Sequence, residues 1–140
     1  MSIEETEQEI TEEFALFGTD WEGKYEHLID LGRSLPLIAG ELKTEDRLIK
    51  GCQSKVWLHS RLENGLVFFS ADSDAIITKG IVALMVRVLS GHTPAEIVAA
   101  KLGFIDQIGL KEHLSPTRAN GLVSMIKQMK LDALAFQLKA

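Results

Sequence analysis

Val56-Trp57-Leu58-His59-Ser60-Arg61-Leu62-Glu63-Asn64-Gly65-Leu66-Val67-Phe68-Phe69 carries the strongest fold signal in the chain. In its first half Val56, Leu58, Ser60 and Leu62 alternate with Trp57, His59 and Arg61, the period of two expected of a half-buried strand. Glu63-Asn64-Gly65 then turns the chain into Leu66–Phe69, and Asn-Gly between two such runs is the strongest short hairpin signal. Leu48-Ile49-Lys50 reads as a short preceding strand. The expectation is a small antiparallel sheet of about three strands.

The flanks read as helices. Ser2 with Glu5 and Thr19 with Glu22 form capping-box patterns, and Gly18 separates a first helix, about 3–17, from a second, about 20–32. Pro36 blocks continuation of the second. Asp72 and Ser73 offer caps for a third helix, about 74–90, which is apolar nearly all round and so belongs in the middle of the molecule. Gly80 inside it is explained by close approach of a neighbouring backbone. Thr93-Pro94-Ala95-Glu96 starts a further helix, and Ser115-Pro116 opens the last, about 116–137, with Leu122, Met125, Ile126, Met129 and Ala133 on one stripe. Helices around a small antiparallel sheet make the class α+β.

A chain of 140 residues, 46% hydrophobic, without repeats or linkers, fits one domain spanning 1–140. Its 15 basic and 20 acidic side chains give a net charge of -5, which argues against a nucleic-acid footprint. Glu4, Glu5, Glu7, Glu9, Glu12 and Glu13 precede any Lys or Arg, as either a solvated helix face or a docking surface for a basic partner. The start lacks the pattern of a secretory signal, and Gly80–Leu89, broken by Arg87, is too short to span a bilayer. With an unpaired cysteine, these features suggest a soluble, cytoplasmic protein with no membrane partner.

Cys52 is the only cysteine. It has no partner for an intramolecular disulfide, and alone it cannot supply the thiolates of a structural zinc site or an iron–sulfur cluster. It is either an inert packed residue or one thiol doing one-thiol chemistry. Gly51 gives its loop backbone freedom, Lys50 and Lys55 flank it as cations that would lower a thiol pKa, Gln53 and Ser54 add uncharged donors, and Val56 and Trp57 offer apolar walls. Arg118 falls in the first turn of the last helix, where the macrodipole disfavours a cation. It calls for a compensating group: a carboxylate such as Asp72 or Asp74, or an anion held at the site. His113, just before that helix, is either a hydrogen-bonded structural residue or a base. His27, His59 and His92 show no metal-ligand spacing.

Gly51-Cys52-Gln53-Ser54-Lys55-Val56-Trp57 resembles the cysteine signature of the SufE family, the sulfur-acceptor proteins of iron–sulfur cluster assembly, with its CsdE branch. Trp21-Glu22 with Lys24-Tyr25, Ile29-Asp30-Leu31-Gly32 and Leu35-Pro36 is similar to the family's first block. Asp72-Ser73-Asp74-Ala75 with Lys79-Gly80 is similar to its central block, and His113-Leu114, Pro116, Arg118, Gly121-Leu122 and Met125 to its last. Four blocks in order, over roughly residues 14–130, make the resemblance specific.

The resemblance implies a fold similar to that of the cluster scaffold IscU, with Cys52 as carrier of a persulfide. A cysteine desulfurase of the SufS or CsdA type, which holds the pyridoxal phosphate, would donate the sulfur, and a SufBCD-type scaffold would receive it. The chain itself would need no cofactor and no metal. Gly51, Gln53, Ser54, Lys55, Asp72, Asp74, His113 and Arg118 would support the transfer. Monomer and homodimer both remain open. Two other classes compete: a free-standing thiol enzyme with His59 or His113 as base, and a cluster scaffold that borrows thiolates from a second chain.

Overall fold

The computed structural model describes residues 1–35 and 38–139, so the expectation placed on Pro36 lies outside the described residues. The hairpin forms as the sequence predicts. Strands β1 (Val56–Glu63) and β2 (Leu66–Ser73) pair antiparallel, from Val56 opposite Ser73 to Glu63 opposite Leu66. Asn64 and Gly65 both take positive φ, 53° and 79°, as a two-residue turn of the primed type requires. The inward face of the hairpin presents buried Val56, Leu58, Val67, Phe69 and Ala71. The expected third strand shrinks to one bridge, Leu48 to Trp57, with the Ile49 N–H donating to the Val56 carbonyl. The chain around it is spent in two short 3₁₀ turns, Gly40–Leu42 and Glu45–Arg47, which leaves no length for a ladder.

The helices are α1 (Ile3–Ala15), α2 (Trp21–Arg33), α3 (Ile76–Leu89), α4 (Pro94–Ala99), α5 (Phe104–Gln107) and α6 (Pro116–Lys139). The Ser2/Glu5 and Thr93/Glu96 boxes close on both sides. Two expected caps are corrected. Asp20, not Thr19, caps α2 by accepting from the Gly23 N–H, because its carboxylate sits at the right distance from the first free amides. Asp72 and Ser73 do not cap α3: the cap position falls to Ala75, which has no capping side chain, and the Ser73 hydroxyl accepts from the Ala75 N–H at 3.3 Å instead. Pairing with β1 keeps both residues extended to the end of β2, and the Asp72 carboxylate turns to two lysines instead.

Helix α3 is the centre of the molecule: Gly80, Ile81, Val82, Leu84, Met85, Val88 and Leu89 are buried. Gly80 is explained as expected. A Cβ there would fall 2.1 Å from the Leu28 carbonyl oxygen, and one on Gly32 would fall 2.9 Å from the Gly80 nitrogen, so α2 and α3 touch through their backbones. Arg87, the charge that interrupts α3, reaches Glu9 and Glu13 of α1, and Glu13 also meets His27 at 3.1 Å. Part of the acidic start is therefore an internal anchor rather than a free surface. The long α6 runs across the other side and buries Gly121, Leu122, Met125, Met129 and Ala133, so its stripe and that of α3 close one apolar cluster.

Candidate functional site

Between the Leu48 bridge and β1 the chain makes a loop, residues 50–55, whose two ends are fastened. At one end Ile49 pairs with Val56. At the other, the Asp74 carboxylate accepts from the Lys55 N–H at 3.0 Å, and the Asp74 N–H donates to the Lys55 carbonyl at 3.2 Å. Gly51 sits at φ +93°, a conformation that side chains disfavour, and a Cβ on it would meet Ser124 Oγ at 2.6 Å. The loop therefore lies hard against α6 and turns Cys52 inward.

Cys52 is half-buried, and its Sγ donates to the Gly121 carbonyl at 3.5 Å. It faces a cavity of about 300 Å³ between the loop, α3 and the first three turns of α6. The apolar wall comes from Ile81, Leu122 and Met125, and the polar rim from Gln53, Ser54, Thr78, Ser115, Thr117 and Arg118. Burial pushes the thiol pKa up, since a thiolate would lose its hydration there. In this pose Cys52 is a neutral thiol at neutral pH and a weak nucleophile. The flanking lysines, exposed at the loop's edge, do not reverse that.

The structure thus gathers Cys52, Gln53, Ser54 and Arg118 at one cavity, with Gly51 behind the thiol. Lys55 and Asp74 hold the loop rather than line the cavity. Asp72 stands one step further away. It is 4% exposed and pairs with Lys43 at 2.6 Å and Lys79 at 3.3 Å. Its burial opposes the charge, yet the hydrogen bonds from Lys43, the Ser73 N–H and Lys79 outweigh that and keep the carboxyl below its ordinary value. Neither Asp72 nor Asp74 makes the ion pair expected of Arg118 among the described residues. Arg118 is exposed at the cavity rim, with its own N–H donating to Ser115 Oγ.

His113 lies elsewhere. Its ring stacks on Trp21 at 3.8 Å and meets the Gly109 carbonyl at 3.0 Å, while the Tyr25 hydroxyl donates to its backbone oxygen. It fastens the start of α6 to α2 and does not line the cavity. His59 bonds to Arg47. The apolar walls come from α3 and α6, not from Val56 and Trp57, which face the core and Lys43 respectively. Thr78, Thr117 and Ser124 carry no local signal of this place, because nothing in the sequence around a hydroxyl on one helix marks it as facing a loop more than 20 residues away in the chain. Among the described residues, no three His, Cys, Asp or Glu side chains converge as metal ligands, and no helix is long and apolar enough to cross a membrane.

Comparison with known proteins bears on this geometry. The family described as "SufE: Fe-S metabolism associated domain" matches residues 8–133. The chain is 42% identical over 120 residues to an uncharacterized SufE-like protein of Synechocystis, covering 86% of this chain and 76% of that protein. It is 41% identical over 106 residues to the sulfur acceptor protein CsdE of Escherichia coli, covering 74% and 72%. A solution structure of a hypothetical protein from Thermus thermophilus has the same fold, with a TM-score of 0.76 at 20% identity over 93% of this chain and 94% of that one.

Proposed function

The chain belongs to the SufE family, and from that membership we propose that it is a sulfur acceptor whose Cys52 takes a persulfide sulfur from a cysteine desulfurase. The observation that carries the reading is the pose of the thiol: half-buried at a cavity, on a short loop in which a positive-φ glycine precedes it. Sulfur transfer is thiol exchange. It needs a thiolate on the acceptor at the moment of attack and protection of the product from stray reductants and oxidants. A buried, neutral cysteine satisfies the second need and not the first. The loop must therefore carry Cys52 out to the donor, where it ionises, attacks the outer sulfur and releases the donor's thiolate.

Each neighbour has a place in this scheme. Asp74 and the Ile49–Val56 bond keep the loop's ends fixed while its middle moves. Gln53, Ser54 and Arg118 put donors and a cation where a sulfur anion on Cys52 would be held. Asp72, tied to Lys43 and Lys79, keeps the end of β2 and the start of α3 in register beside the loop, and His113 does the same for the start of α6. The pyridoxal phosphate belongs to the desulfurase, and this chain supplies the thiol and the moving loop. It stimulates the desulfurase by removing its persulfide and passes the sulfur to a SufBCD-type scaffold. A lone thiol that has to stay reduced suits a cytoplasmic setting.

The thiol-enzyme reading lacks a base in place: neither His59, bonded to Arg47, nor His113, stacked on Trp21, lines the cavity. The proposal is tested by sulfide release from a desulfurase supplied with cysteine, with and without this protein. The parent chain accelerates turnover, and Cys52→Ser does not. Equal acceleration by both chains sinks the reading.

A further inference from the structure

Glycine is the costliest ordinary residue in a helix interior, so Gly121, buried in α6, requires a reason. Its reason is Cys52. A Cβ on Gly121 would lie 3.3 Å from Sγ, inside ordinary van der Waals contact, and its carbonyl is the acceptor of the thiol at 3.5 Å. Every residue of a helix has a carbonyl, but only a glycine here lets the sulfur come this near. Gly51 makes the matching approach from the loop side, against Ser124. The loop is thus seated on α6 at two points, Cys52 on the bare backbone of Gly121 and Gly51 on Ser124.

We infer that the Gly121 backbone is the latch of the Cys52 loop, holding the unloaded thiol in its cavity, and that a side chain at this position would lift the loop and free the thiol. A thiol is a weak donor, so the latch is shallow enough for a docking partner to draw the loop out. The latch depends on the seating of the loop on α6 alone and holds whatever Cys52 carries.

The test follows amide hydrogen exchange of residues 50–55 by mass spectrometry in the full chain, parent against Gly121→Ala, beside the iodoacetamide reactivity of Cys52 across pH. Loss of one weak hydrogen bond opens the loop about twofold more often, so the variant exchanges about twofold faster than the parent. Gly121→Ala keeps or raises Tm, since alanine favours the helix, and its iodoacetamide reactivity at Cys52 rises at lower pH than the parent's. A variant with the parent's exchange rate and pH profile overturns the latch. Should Gly121→Ala fold poorly, Cys52→Ala removes the donor from the other side of the same contact, and exchange there as slow as the parent's is equally fatal. No desulfurase takes part in these measurements, so their outcomes are separate from those that decide the carrier reading.

Discussion

Gly80→Ala tests the crossing on which the fold around the site depends. The added Cβ would stand 2.1 Å from the Leu28 carbonyl oxygen and 2.6 Å from its carbon, both backbone atoms that cannot rotate away. Carbon atoms pack at about 3.5–4.0 Å, so α2 and α3 must part by about 1 Å or more at this point. Alanine gains about 1 kcal/mol of helix propensity over glycine. Against that, overpacking a well-filled contact costs about 1–3 kcal/mol even where side chains can adjust, and here a fixed backbone must move. Parting the helices also loosens Leu28, which is fully buried at the crossing and worth about 1.5–3 kcal/mol there. The net expectation is a loss of about 2–4 kcal/mol, or roughly 6–12 °C in Tm for a domain of this size. Thermal and urea unfolding of the full chain, followed by circular dichroism, measures it. Ile81, next along α3, lines the thiol cavity, so Cys52 should also alkylate faster in the variant. A Gly80→Ala protein as stable as its parent, or more so, refutes the backbone contact and the placement of α3 with it.

Two further results follow from the charges around the loop. Asp72→Asn leaves Lys43 and Lys79 without their carboxylate and lowers stability at neutral pH by about 1–3 kcal/mol, less than a fully buried pair because the two lysines are 34% and 27% exposed. The Asp72 carboxyl is held below its ordinary value, so its contribution is complete above the unfolded pKa of about 3.9 and fades as pH falls through the lower folded value. The Tm gap between parent and variant should therefore close in acid, and a gap that persists unchanged from neutral pH into strong acid contradicts the assignment. The Cys52 thiol is pushed the other way, so iodoacetamide reactivity of the isolated protein should rise with a midpoint above the ordinary thiol value of about 8.5. A midpoint below that value would show an activated resting thiolate, against the pose described.

The hairpin was legible because its information is local. Asn64-Gly65 fixes the turn, and the alternation from Val56 onward fixes which face is buried. Helix α3 was legible for the opposite reason, since a helix apolar on every side has only one place to go, and Gly80 announced the contact that holds it. What failed was the boundary. Asp72 and Ser73 carry good capping side chains, but cross-strand pairing, which no local propensity contains, drew them into β2 and left Asp72 to two lysines. The third strand failed similarly, because Leu48 and Ile49 have strand character but only one bridging position. At the site, Cys52 and its loop stood out as a lone thiol behind a glycine. The cavity that Cys52 enters did not, for its walls come from α3 and α6, and Gly121 acquires meaning only when the loop is seen resting on it.

Whether Cys52 carries a sulfur atom between proteins is decided by incubating the protein with a cysteine desulfurase and cysteine, then recording its intact mass without reductant. A gain of one sulfur atom is expected, absent in Cys52→Ser and passed on when a SufBCD-type scaffold is added. No gain on the parent chain, or the same gain on the serine variant, would contradict the carrier role.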